Sequence, residues 1–214
     1  MLSRIHTPRI AIAVVSALLF LLMSGCSSNQ ARQAAFVPDE NASSLAEIIN
    51  QYRAFHQLDS LAESPTLHRV ALAHVTDLQR SGVFAGECNL HSWSDQGPWT
   101  PCCYSRDHAK SACMLNKPAE FSNGRFNAPG YEIATVHGLG MSPARALRHW
   151  LHSDAHHDVL LNRNQWTDVR WKSIGAAISE NYAVVWFSEA SEEDERQLTD
   201  ARGTHRPPEA RLLK

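Results

Sequence analysis

No excess of either charge, no internal repeat and no apolar run long enough to span a bilayer comfortably are found in these 214 residues. A formal charge of -2 leaves no basic face on which a nucleic-acid backbone could dock, so no nucleic-acid partner is expected. Two signatures of hydrolytic sites are also missing. There is no His-Glu-x-x-His, the helical zinc scaffold, and no Gly-x-Ser-x-Gly, the strained turn that presents a nucleophilic serine. Cysteine is sparse, five in all, and four of these lie between Cys88 and Cys113. At 43% hydrophobic the chain can bury one core but is short for two domains of usual size.

The one sizeable apolar run, Ile10 to Met23, follows Arg4 and Arg9 and leads into Ser24-Gly25-Cys26-Ser27. These are the flanks of an export signal. Met23-Ser24-Gly25-Cys26 resembles the lipobox of bacterial lipoproteins, which implies removal of residues 1–25 and acylation of Cys26. Ser27, in place of Asp, resembles the outer-membrane sorting class of Gram-negative hosts. Acyl chains anchor stably because each buried methylene contributes about 0.8 kcal/mol. Residues 26–43 then read as a polar tether, 44–189 as the folded domain and 190–214 as a charged tail, a frayed helix followed by disorder.

Export alters the reading of the remaining cysteines. Cys88, Cys102, Cys103 and Cys113 are an even set in an oxidising compartment, so two disulfides are expected. Of three connectivities, the vicinal Cys102–Cys103 bridge is the least favourable sterically. A zinc site of four thiolates competes less well, because structural zinc usually takes cysteines in spaced pairs.

Four of the twelve histidines fall in one stretch, His149-Trp-Leu-His-Ser-Asp-Ala-His-His-Asp-Val-Leu-Leu-Asn162. Ser142-Pro143 opens a helix expected to reach His152, and Ser153-Asp154 caps a second one carrying His156. Upstream, Leu45, Ile48, Ile49, Tyr52 and Phe55 form one apolar helical stripe; Leu67, Val70, Ala71, His74, Val75 and Leu78 form another, opened by Ser64-Pro65 and closed by Ser81-Gly82. His68 and His74 read as helix-surface and core-edge residues. Between Val83 and Gly130 glycines and prolines break every pattern, so a loop stapled by the cysteines and weighted with Trp93, Trp99, Tyr104, Phe121 and Phe126 is expected. It contains His91-Ser92, and just beyond it Glu132 sits among apolar neighbours, where a carboxylate must be paired or functional. Residues 173–179 and 182–188, joined by Glu180-Asn181, predict a hairpin apolar on both faces, hence a sheet covered on both sides.

This order of features, with Trp150-x-x-Ser153-x-x-His156 and a strand opening Ile174-Gly175, resembles the CAP superfamily, or SCP domain, of cysteine-rich secretory proteins, venom allergens, plant pathogenesis-related proteins and bacterial exported proteins. The resemblance covers about residues 44–188. It implies an α+β fold, an α-β-α sandwich with a small central antiparallel sheet. It also implies a cavity lined by His91, Glu132 and His156. The place of a second glutamate in many members falls on Ser153, and Ile133 and His157 replace the family's usual Asn and Arg.

Two imidazoles and a carboxylate suffice as ligands for Zn²⁺ or another divalent metal, and binding of such an ion or of a small ligand in the cavity is the leading expectation, without established catalysis. A hydrolase would instead use Ser153 as nucleophile, His156 or His91 as base and Glu132 to orient it. A third expectation is binding of a lipid or protein by the aromatic loop through Trp93, Trp99, Tyr104 and Phe121.

Overall fold

The computed structural model describes residues 36, 44–82 and 86–203. The export segment, Cys26, most of the tether and the last eleven residues lie outside that set. Helix α1, Leu45–Phe55, starts where the Ser44 hydroxyl accepts the Glu47 N–H, and helix α2, Pro65–Ser81, starts where the Ser64 hydroxyl accepts that of Leu67. Gly82 closes α2 in the left-handed conformation at φ 57°, which a residue without a side chain adopts at low cost. The expected inner stripes are buried, with one exception. Phe55 is 43% exposed, and Arg53 replaces it on the inner face of α1. Phe36, within the presumed solvated tether, meets Tyr52 and Phe55 edge-on, at 4.9 and 5.5 Å between ring centres.

The predicted hairpin is present as β3, Ser173–Ile178, and β4, Tyr182–Ser188. With β1, Ala62–Glu63, and β2, Tyr131–Val136, it forms a sheet in the order β1-β3-β4-β2. Three of the strands are antiparallel neighbours, but β1 runs parallel to β3, so the sheet is mixed rather than purely antiparallel. The reason is local: β1 is two residues of the α1–α2 connection, which pass the sheet edge in one direction and bond it through Ala62 N–H and Ser64 N–H.

Alternation along the strands divides the interior into two cores. Ile133, Ile174, Ala183, Val185 and Phe187 face α1 together with helices α5, Pro143–Leu151, and α6, Asp154–Leu161. Ala134, Ala177, Tyr182, Val184 and Trp186 face α2 and the cysteine loop. This is the α+β sandwich expected, a sheet between helical layers. Gly175 permits the close approach of α2, since a Cβ there would stand 2.2 Å from the backbone of Leu67 and His68.

The stretch from Val83 to Gly130 is less irregular than the sequence suggests. It contains short helices α3, Ala112–Leu115, and α4, Lys117–Ser122. It is bridged by Cys88–Cys103 and Cys102–Cys113, which excludes a zinc site built from these thiols. Trp93, Tyr104 and Phe126 are buried and join the α2-side core. Of the aromatics expected to bind a lipid or protein, Trp93 and Tyr104 thus belong to the loop's own core, while Trp99 and Phe121 are half-buried against it. The helix expected in the charged tail is present, and residues 204–214 lie outside the described set. Helix α7, Glu192–Gly203, docks through acids rather than apolar residues. Glu192 accepts the Ser64 hydroxyl at 2.7 Å and the Thr66 N–H at 2.8 Å, and the buried Glu195 accepts the Asn127 N–H at 2.8 Å.

Candidate functional site

Each half of the site is placed by hydrogen bonds that begin in the local sequence. In the loop, the Cys88–Cys103 bridge and the Asn89 N–H to Tyr104 carbonyl bond hold both ends of a short turn, and Asn89 Oδ1 accepts the His91 N–H at 2.9 Å. An Asn side chain that mimics a backbone turn in this way fixes the residue two positions on. Antiparallel bonds between Trp93 and Cys102 continue the constraint. On the other side, α6 is pinned along its length. Tyr52 Oη and His157 Nε2 are 2.7 Å apart, Trp171 Nε1 donates to the Val159 carbonyl at 2.9 Å, and the buried Arg53 donates to the Leu160 carbonyl and to Asn162 Oδ1. His156 therefore leaves the first turn of a helix that has little freedom to shift.

Between these halves lies a cavity of about 430 Å³ at the β2 edge of the sheet. His91, Glu132 and His156, drawn from sequence positions 65 residues apart, all line it, with Met114, Leu115, Val159 and Trp166 among its apolar neighbours. The volume falls within the range of small-molecule sites, about 300–1,000 Å³.

Glu132 is the best-satisfied member. Its side chain is fully buried, and its two oxygens meet two different imidazoles: Oε1 lies 2.5 Å from His74 Nδ1 and Oε2 lies 2.6 Å from His91 Nδ1. Burial alone would raise its pKa; the charge and hydrogen bond of His74, then those of His91, outweigh burial and hold it down to about 2. His156 points its Nδ1 at Ser153 Oγ, 2.8 Å away, and its pKa is lowered by burial and by the neighbouring His91. Tyr104 is raised by burial and by the charge of Glu132.

Two expectations change on this geometry. Each Glu132 oxygen lies within hydrogen-bond distance of an imidazole nitrogen, and no group of three or more His, Cys, Asp or Glu among the described residues is arranged to hold an ion. The set His91/Glu132/His156 shares a cavity without forming a three-ligand metal site. As the orienting member of a hydrolytic triad, Glu132 meets one of the two expected bases, His91, and not the other, His156. Its partners are His74 and His91, while His156 bonds Ser153. Ser153 itself caps α6 by position only, since its hydroxyl goes to the His156 ring and makes no cap bond to the backbone.

His74 is the functional-site residue the sequence reading placed elsewhere. It is fully buried on the inner face of α2, bonded to Glu132 and to the Ser92 carbonyl at 2.9 Å, and stacked on Trp93 with ring centres 4.2 Å apart. A signal existed. A histidine on an apolar stripe and a carboxylate in an apolar strand each lack a partner, and pairing the two would have found the contact.

Two solved structures resemble this chain. One is an extracellular protein containing an SCP domain from Bacillus anthracis, at 16% identity and TM-score 0.46, over 67% of this chain and 38% of that one. The other is a cysteine-rich secretory protein from Staphylococcus aureus, at 15% identity and TM-score 0.43, over 68% of this chain and 37% of that one. The matched region thus spans under two-fifths of the length of either protein. No family model and no curated protein matches the sequence.

Proposed function

We propose that the chain is an exported CAP-domain protein, held to the bacterial envelope by acylated Cys26, in the outer membrane of a Gram-negative host, and that its cavity binds a small ligand without catalysis. Export is supported by the signal pattern and by disulfides, which persist in oxidising compartments. The observation that carries the binding role is the cavity itself: two imidazoles, each anchored through Nδ1, on a mostly apolar wall. Small-ligand sites have this composition, an apolar lining with a few polar groups held in place.

The test is native mass spectrometry of the lipoprotein extracted from its own envelope. A retained small molecule is expected in the wild type and lost in Val159→Trp, which fills the cavity from its apolar side. An empty wild type under gentle extraction argues against the reading. Stoichiometric zinc that survives dialysis and disappears in both His91→Ala and His156→Ala would restore the metal role.

One observation favours a second reading, the 2.8 Å contact between Ser153 Oγ and His156 Nδ1, which is a nucleophile–base distance. A hydrolase of this kind loses ester turnover in Ser153→Ala while its melting temperature stays nearly the same.

A further inference from the structure

The proton inventory of the buried residues behind the cavity determines what the cavity offers. The Ser92 carbonyl can only accept, so His74 Nε2, 2.9 Å away, carries a proton. His74 Nδ1 faces Glu132 Oε1 at 2.5 Å, and two lone pairs cannot meet at that separation, so a proton lies between them. Both side chains are fully buried. With that proton shared within the pair the dry site is neutral overall, and Glu132 Oε2 is left able only to accept. The alternative, a protonated Glu132 donating from Oε2, would leave an unbalanced cation on His74 with no access to water, which is strongly disfavoured. The depressed pKa of Glu132 agrees with the neutral arrangement.

Oε2 must then take its hydrogen from His91 Nδ1, 2.6 Å away. An imidazole that donates from Nδ1 and is neutral keeps its lone pair on Nε2. Among the described residues nothing pairs with His91 Nε2, and His91 borders the cavity.

Taking the cavity as a ligand site, as above, we propose that His74 is a positioning residue which, through Glu132, holds His91 as its Nδ1–H tautomer, so that the polar end of the cavity is a hydrogen-bond acceptor and its ligand is a small, mainly apolar molecule carrying an O–H or N–H donor. Met114, Leu115, Val159 and Trp166 suit the apolar body.

The experiment is a long-range proton–nitrogen NMR spectrum of the folded chain labelled with ¹⁵N histidine, at neutral pH. Expected are a protonated Nδ1 and bare Nε2 on His91, with protons at both His74 nitrogens. In His74→Gln the His91 ring should shift toward the commoner Nε2–H tautomer. Should that variant not fold, the wild-type spectrum decides alone. Phenol and anisole then serve as probes of one shape with and without a donor, and phenol is expected to perturb the His91 and Met114 signals at concentrations at least tenfold lower. A wild-type His91 protonated at Nε2 overturns the tautomer assignment, and equal potency of the two probes overturns the donor rule. If neither probe moves those signals, the cavity reading falls and the ligand class falls with it, a result distinct from a wrong tautomer.

Discussion

A carboxylate with no access to water is costly unless it is paired, and Glu132 meets that condition by taking one imidazole on each oxygen. Removing the acid strands His74 between a carbonyl and a void. Glu132→Ala is therefore expected to lower stability by about 3–5 kcal/mol, the usual cost of breaking a buried pair, as read from the urea midpoint at unchanged slope. His156 behaves in the opposite sense to a surface histidine. Its pKa is lowered, so the native state binds fewer protons than the unfolded chain and stability falls as pH drops through the ordinary histidine value of 6.5. An NMR titration should give a His156 midpoint below 6.5; one at or above 6.5 would show that its environment is wetter than the packing implies.

Among elements, two attachments decide whether the site holds its shape. The loop carrying His91 is tied by Cys88–Cys103, which closes a 15-residue separation. Reduction should cost about 3 kcal/mol on the chain-entropy account, and His91 and its tautomer should lose definition first, visible as new mobility in the His91 ring signals before global unfolding. At the far end of α2, Glu192 of α7 accepts the Thr66 N–H, one of the donors that a helix start leaves unpaired. Glu192→Ala is expected to cost about 1 kcal/mol and to speed amide exchange within α7, while Ser64 still caps α2. Unchanged exchange there would mean that Glu195 and its bond to Asn127 suffice to hold the helix.

For the whole molecule the acid limb of the stability curve follows from Glu132. Its folded pKa, about 2, lies below the ordinary 4.5, so its contribution is fully present above pH 4.5 and is lost as pH falls toward 2. The loss is on the order of 3 kcal/mol by linkage, added to whatever the other carboxylates contribute. Circular dichroism at fixed urea should show stability declining from about pH 4.5 to 2, and the decline should flatten in Glu132→Gln if that variant folds.

Much of the architecture was legible in single stretches. The α2 stripe, the Ser142-Pro143 start of α5 and the two-faced hairpin each express a period that a short window contains. So did the approximate site, because His91, Glu132 and His156 are set in local patterns that mark each of them as unusual. What no window contains is which acid meets which ring. The pairing of Glu132 with His74, 58 residues earlier, and not with His156, depends on β2 lying beside β4, one of the two strands that α2 packs on, and that depends on the order of strands. Local periodicity is a property of neighbours along the chain, whereas hydrogen-bond partners of buried groups are chosen by proximity through space. The sequence alone therefore determined the elements and the residues with something to explain; only the tertiary structure decided that Glu132 lies between His74 and His91 rather than against His156.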